Sequence, residues 1–144
     1  MFSKNGFTLI EVMIVIALMT IVGAIVAPLS IDYQQRNDLD IAQTTFVQCI
    51  RRAQQMSMAG EADSAWGLAV NTGNIIIFKG VSFLTRDTSL DENYDISSSI
   101  TFSGQSEYSF AKTTGLPSTT GSVTLTNSNY QKSVSLNEKG IVNY

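Results

Sequence analysis

Glu11 is the residue whose position in this chain most clearly requires a chemical explanation. It is the only charged residue among residues 7–31. An unpaired charge in hydrocarbon costs about 3 kcal/mol or more, so a carboxylate in this segment requires a cationic partner. The nearest candidate is the α-ammonium group that would form if the chain were cut between Gly6 and Phe7. The sequence therefore indicates a cleavage site directly before the apolar segment.

The element that positions Glu11 is the apolar segment itself. As a helix, residues 7–31 would extend roughly 37 Å, and a hydrocarbon layer is about 30 Å thick. Lys4 is the only charged residue before the segment. By the positive-inside rule, residues 1–6 would lie in the cytoplasm and residues 32–144 outside it.

Three interpretations of this segment compete. A secretory signal peptide is cut after its apolar run at a small-x-small site, whereas this run ends in Gly23-Ala24-Ile25-Val26-Ala27-Pro28, without a clean site. A plain membrane anchor has the right length but gives no reason for Glu11. A precursor that is cut after Gly6 and keeps its apolar helix explains both features.

The sequence Gly6-Phe7-Thr8-Leu9-Ile10-Glu11, followed by the apolar run, closely resembles the start of type IV prepilins and of type II secretion pseudopilins. The resemblance implies a leader over residues 1–6, which a prepilin peptidase removes, and N-methylation of Phe7. Residues 7–31 would form a transmembrane or filament-core helix, and residues 32–144 a pilin head. Glu11 would neutralise the amine of its own or a neighbouring subunit and so set the subunit register.

Pro28 is predicted to disturb the apolar helix. Proline has no N–H, so it cannot donate a hydrogen bond to the carbonyl of Ala24. A kink or local loosening is therefore expected between Gly23 and Pro28. Pilins commonly carry a proline in this region, which adds to the resemblance.

The helical pattern continues in amphipathic form over residues 32–59. Apolar residues at spacings of three and four form one stripe, which consists of Leu39, Ala42, Phe46, Cys49, Ile50, Ala53 and Met56. Gly60 is a natural stop, so one helix is predicted from Phe7 to Ala59. Cys49 is predicted to be a core residue rather than a reactive thiol.

Short alternating runs follow, and they predict an antiparallel β domain over residues 64–144. The predicted strands are residues 66–70, 75–78, 96–102, 108–110, 123–125, 134–136 and 141–142. Asn71-Thr72-Gly73-Asn74 predicts a hairpin turn between the first two. The expected fold class is α+β, with the amphipathic half of the helix covering one face of an antiparallel sheet.

The head also resembles that of the H-type minor pseudopilins. The matching segments are Trp66-Gly67-Leu68-Ala69-Val70, Phe110 with Gly115-Leu116-Pro117, and the closing run over residues 134–142. In that family the closing hairpin often has a basic residue directly after its glycine, whereas here Ile141 follows Gly140.

Asp87, Asp91, Glu92 and Asp95 form the densest acidic cluster of the chain. Some relatives bind calcium, and calcium prefers oxygen ligands. The spacing lacks the alternating ligands of a calcium loop, however, so these residues are predicted to form a solvated acidic loop.

The composition argues against catalysis and against nucleic-acid binding. The chain has no histidine, which is the usual general base at neutral pH, and its single cysteine permits no disulfide within the chain. We expect no enzymatic activity and no cofactor. The formal net charge is −3, and residues 130–144 contain only two lysines, Lys132 and Lys139. Because non-specific DNA binding needs several phosphate contacts, DNA is not an expected partner.

These features predict a structural subunit of a type IV pilus-like filament or a type II secretion pseudopilus. The implied partners are other pilin or pseudopilin subunits, a prepilin peptidase, an inner-membrane assembly platform and membrane lipid. The implied location is the bacterial inner membrane, with the head outside the cytoplasm. Two alternatives stay open: a minor pilin that primes assembly or binds DNA in uptake, and a membrane-anchored adhesive β domain.

Overall fold

The structure is a computed structural model that describes residues 6–144, apart from the side chains of residues 25–30. The chain divides into two compact units, Met1–Gln34 and Gln35–Tyr144. The helix α1 spans Leu9–Ala59, and the strands are β1 (Trp66–Asn71), β2 (Asn74–Lys79), β3 (Asp87–Asp95), β4 (Thr101–Gly104), β5 (Glu107–Phe110), β6 (Gly121–Asn127), β7 (Tyr130–Leu136) and β8 (Val142–Asn143). The fold is α+β, as predicted.

The second unit, which we call the head, is built on one face of α1. All seven residues of the predicted apolar stripe are buried in the main hydrophobic core. Phe46 lies near the centre of the core, with its ring centroid 5.9 Å from that of Tyr108 and 6.4 Å from that of Phe102. Because Tyr108 and Phe102 belong to different sheets, Phe46 joins both sheets to the helix.

The helix ends where the sequence predicts. Its last residue is Ala59, and Gly60 follows with a φ of 64°, in the left-handed region. Glycine reaches this conformation without the steric cost that a Cβ imposes. The N–H of Gly60 still donates to the carbonyl of Ser57 at 3.1 Å, which closes the last turn.

The strands form two antiparallel sheets of four rather than the single sheet predicted. The first sheet has the order β3-β2-β1-β5, and the second has the order β4-β6-β7-β8. The predicted hairpin is confirmed, since Asn71 pairs with Asn74 across the turn between β1 and β2. The predicted strands in β5, β6 and β7 are also confirmed, and the final strand begins at Val142, one residue later than predicted.

The first sheet is covered on both faces, which explains why β1 and β2 are buried along almost their whole length. Trp66, Leu68 and Val70 belong to the core beneath the helix. On the other face, the ring of Phe83 packs against Phe78 with centroids 5.6 Å apart. Gly67 lies between these layers, where a Cβ would collide with the Phe78 ring.

One predicted strand is wrong. Residues 96–100 lie outside the sheets, and only β4, which begins at Thr101, overlaps the predicted strand over residues 96–102. The N–H of Ile100 donates to the carbonyl of Ser97 at 3.0 Å, which forms a turn over three consecutive serines. Serine favours such turns, and Ile100 is still buried in the core.

Replacing Phe46 by aspartate tests the helix-on-sheet packing. In a fragment of residues 35–144, Phe46→Asp should lower the free energy of unfolding by at least about 3–5 kcal/mol, because it removes a buried ring and buries a carboxylate. Urea titration followed by circular dichroism measures this. Ile41→Asp is the matched control, since Ile41 lies on the same helix and is 52% exposed. Equal midpoints for the two variants would contradict the packing described.

Candidate functional site

The candidate site is the segment from Gly6 to Glu11, at the start of α1. The helix begins at Leu9, so Gly6, Phe7 and Thr8 precede it. The predicted start at Phe7 is thus two residues too early. Gly6 and Thr8 are exposed, and the Phe7 side chain is 83% exposed. The bond between Gly6 and Phe7 therefore lies in accessible, non-helical backbone.

Thr8 and Glu11 form a reciprocal pair of hydrogen bonds at the helix start. The Glu11 N–H donates to Thr8 Oγ1 at 3.4 Å, and the Thr8 N–H donates to Glu11 Oε2 at 3.4 Å. The Thr8 carbonyl accepts the first helical hydrogen bond, from the Val12 N–H at 3.3 Å. This is a capping box, in which a threonine N-cap and a glutamate three residues later satisfy two free N–H groups.

The sequence interpretation of Glu11 missed this capping role. The signal was present, because Thr-x-x-Glu directly before an apolar run is the pattern of a capping box. The interpretation instead placed Phe7 and Glu11 one turn apart on the same helix. In the structure Phe7 precedes the helix, so this arrangement does not exist in the uncut chain. The registering role of Glu11 stays a prediction about the processed protein.

The helix that follows Glu11 is apolar on every side. Its large apolar side chains over residues 9–22 are exposed, namely Leu9, Ile10, Val12, Met13, Ile14, Val15, Ile16, Leu18, Met19, Ile21 and Val22. A helix that is hydrophobic all round is stable only when apolar surroundings cover it. A continuous exposed surface of this kind marks a site of contact with other proteins or with lipid.

The membrane and kink predictions concern this same helix. In the part of the chain that the structure describes, no helix has the length and apolar character needed to cross a membrane. The side chain of Pro28 lies outside the described residues, as does Lys4 in the predicted leader. The predicted kink between Gly23 and Pro28 therefore stays a prediction.

The acidic cluster of the head lies in a strand and not in the predicted loop. Asp87, Asp91, Glu92 and Asp95 all lie in β3, at the edge of the first sheet. Charged residues are common on edge strands, because they prevent pairing with other chains. Successive side chains point to opposite faces of a strand, and residues four apart are separated by roughly 13 Å. The four carboxylates therefore do not converge.

Two of these carboxylates pair with arginines on opposite faces of the sheet. Arg86 Nε donates to Asp91 Oδ2 at 2.8 Å. Arg52 on α1 makes a bidentate contact with Glu92, with two N···O distances of 2.6 Å. The hydrogen bond from Arg52 lowers the pKa of Glu92. In the described part of the chain, no group of three or more acidic, cysteine or histidine side chains could hold a metal ion.

Cys49 is a core residue, as predicted. It is 2% exposed, and burial, with a further contribution from the charge of Glu92, raises the pKa of its thiol to about 12. The nucleophilic form of cysteine is the thiolate. At neutral pH Cys49 is therefore protonated and unreactive.

The two lysines of the final strands differ in their surroundings. Lys132 forms an ion pair with Asp40 on α1 and donates to Gln43 Oε1 at 2.9 Å. Lys139 is exposed in the loop between β7 and β8. Lys132, one of the two lysines considered for DNA contact, therefore links β7 to α1 within the head.

Comparison with known proteins gives one result, and it falls on the candidate site. Residues 1–27 match the family described as the prokaryotic N-terminal methylation motif. No curated protein and no solved structure matches the chain. The match supports a type IV pilin-like protein whose precursor is processed by a prepilin peptidase and which associates with other pilin subunits. It covers the predicted cleavage site and Glu11 but does not reach the head.

The contact between Arg52 and Glu92 makes a pH-dependent contribution to the stability of the head. The pKa of Glu92 is lowered below its ordinary value of 4.5, so the contribution is present above that value and is lost as the pH falls through the folded-state pKa. Wild type should exceed Glu92→Gln in stability by less than about 1 kcal/mol at pH 7, since both side chains are partly exposed.

Urea titrations of wild type and Glu92→Gln from pH 7 to pH 2.5 measure this contribution. The difference in unfolding free energy should shrink as the pH falls. Glu138→Gln is the control, because Glu138 is exposed and has no ion pair among residues 6–144. A difference that is constant with pH would show that the Glu92 charge does not contribute.

Proposed function

We propose that this protein is a prepilin whose mature form is a structural subunit of a type IV pilus-like filament or a type II secretion pseudopilus. A prepilin peptidase cuts after Gly6, and the new N-terminal residue, Phe7, is methylated. The observation that carries the proposal is the match of residues 1–27 to the N-terminal methylation motif. The bond between Gly6 and Phe7 lies within the matched residues, and its exposed, non-helical backbone supports cleavage there.

The surroundings of Gly6 support a role in recognition. A Cβ built at this position would meet no other atom within 4 Å, and the φ of Gly6 lies outside the left-handed region. The fold itself therefore gives no reason for glycine at position 6. Because glycine has no side chain, Gly6 would let another protein, such as the peptidase, approach this backbone closely.

The apolar surface of α1 supports a role in assembly. Before assembly, lipid of the bacterial inner membrane would cover the helix, and the head would lie outside the cytoplasm. In the filament, the helices of neighbouring subunits would cover one another. In both settings the exposed side chains of residues 9–22 leave water, and about 25 cal/mol per Å2 of buried apolar surface favours the transfer.

The more specific assignment is to the H-type minor pseudopilins, and it rests on the loose head motifs. The partners of such a subunit are other pseudopilins and an inner-membrane assembly platform. We propose no enzymatic activity, because the chain has no histidine and its single thiol is buried and protonated.

The two alternative functions have less support. A subunit that binds DNA would need several free cations, and Lys132 is already paired with Asp40. A plain anchor for an adhesive domain would need an apolar helix, but it would need neither Glu11 nor a methylation motif.

Mass spectrometry of the membrane-extracted protein tests the cleavage site. After co-expression with a prepilin peptidase, the mature chain should begin at Phe7 and carry one added methyl group. Gly6→Val should abolish this cleavage without changing the fold, since the new side chain meets open space. A mature chain that begins after Ala27 would instead establish a signal peptide.

Replacing Glu11 by glutamine tests the registering role. The amide oxygen can still accept a hydrogen bond from the Thr8 N–H, but the negative charge is lost. Cleavage should continue, while the filament yield, counted by electron microscopy, should fall at least about tenfold because the Phe7 ammonium loses its partner. Glu61→Gln, which changes an exposed acid of the head, is the control. Filaments of Glu11→Gln at the wild-type yield would rule out registration by charge.

A further inference from the structure

The capping box determines where α1 begins. A helix leaves its first four N–H groups without partners inside the helix. Here Thr8 Oγ1 accepts the N–H of Glu11, and the Glu11 carboxylate accepts the N–H of Thr8. The helix start at Leu9 is thus fixed by a local side-chain contact.

The same contact keeps the helix from extending towards the leader. If α1 began one turn earlier, the N–H of Glu11 would donate to the carbonyl of Phe7, and the N–H of Ile10 would donate to the carbonyl of Gly6. In the structure the Glu11 N–H is already bound to Thr8 Oγ1. The threonine hydroxyl therefore competes directly with the first hydrogen bond of that extension, and the Gly6 carbonyl stays outside the helix.

We propose that Thr8 is a positioning residue for the cleavage of this chain. Its hydroxyl ends the helix directly after the bond that is cut, and so presents the Gly6–Phe7 amide as non-helical backbone. This inference rests on the proposed function, since it requires cleavage at that bond. The reaction is a hydrolysis: water adds to the amide, the C–N bond breaks, and the products are a carboxylate on Gly6 and an ammonium group on Phe7.

The reason for the requirement is access to the amide. In a helix that began one turn earlier, the Gly6 carbonyl would be held in an intrahelical hydrogen bond, and side chains would surround the backbone at the Gly6–Phe7 bond. Proteolytic cleavage favours exposed and irregular backbone. Thr8 is exposed, and beyond this box it has no side-chain hydrogen bond among residues 6–144. Its hydroxyl has no other structural task in the described chain.

The test compares the cleavage rates of purified full-length precursors by a prepilin peptidase in detergent micelles, with product followed by mass spectrometry. Thr8→Val keeps the size of the side chain and removes the hydroxyl, and it should slow cleavage about fivefold, the typical effect of losing an N-cap. Thr8→Ser keeps the hydroxyl and should restore the wild-type rate. Thr20→Val is the matched control, because it removes another exposed threonine hydroxyl from α1, one that donates to the Ala17 carbonyl at 2.7 Å.

A second measurement separates positioning from direct recognition of the side chain. The 13Cα chemical shift of Phe7 in the uncut precursor reports its backbone conformation. It should be non-helical in wild type, Thr8→Ser and Thr20→Val, and should move towards helical values in Thr8→Val. Slower cleavage of Thr8→Val without this shift would overturn positioning in favour of direct recognition.

The remaining outcomes distinguish the two proposals. Cleavage of Thr8→Val at the wild-type rate would overturn the positioning role and leave the proposed function intact. A wild-type precursor that is not cut between Gly6 and Phe7 would overturn both. Equal slowing of Thr8→Val and Thr20→Val would also overturn the inference, because it would show a general effect of lost hydroxyl groups on the helix.

Discussion

The face of α1 that carries Phe46 is the surface on which the whole head depends. No strand of one sheet pairs with a strand of the other. The two sheets are therefore held together by side chains that pack in a shared core beneath the helix. Around this core, polar contacts fix the helix to each sheet. Arg52 binds Glu92 of the first sheet, and Asp40 binds Lys132 of the second. Partly exposed ion pairs contribute little to stability, so apolar burial supplies the energy and the ion pairs select the orientation.

Over residues 9–22, the apolar side chains of α1 are exposed instead of buried, because no other part of the described chain covers them. The head buries one stripe of its helix, as a globular protein does, whereas the exposed side chains of residues 9–22 occupy every side. A continuous exposed apolar surface of this kind marks a site of contact with lipid or with other proteins. The proposed filament subunit would meet this condition, because lipid or the helices of other subunits would cover the segment, whereas a free-standing domain would leave it exposed.

The elements that the sequence predicted well are those with a strong period. The stripe of α1 has a clear helical period, and β1, β2, β6 and β7 have apolar residues that face the core. The strand β3 was missed because Asp-Thr-Ser-Leu-Asp-Glu-Asn-Tyr-Asp has no such alternation. Its position at the sheet edge tolerates charge, and its partner Arg52 lies 40 residues away in sequence. An ion pair between residues so far apart in the chain produces no pattern in the local sequence that would predict it. At residues 96–100 the error was the opposite, because a strand was predicted where the chain forms a turn. Ile96 and Ile100 lie on either side of the three serines of this turn.

The candidate site shows how one carboxylate can serve two consecutive states. In the uncut chain Glu11 accepts the N–H of Thr8, so its charge faces the partial positive charge of the helix start. The proposed hydrolysis would place a full positive charge on Phe7, the residue next to Thr8. The ammonium group would be a stronger partner for the carboxylate than a neutral amide N–H, because it adds the attraction of a full positive charge. The capping box therefore holds the carboxylate close to where the new cation of its own subunit would appear. Glu11 is costly in an apolar helix only if neither partner is present, and the proposed cut would replace the Thr8 N–H by the Phe7 ammonium group.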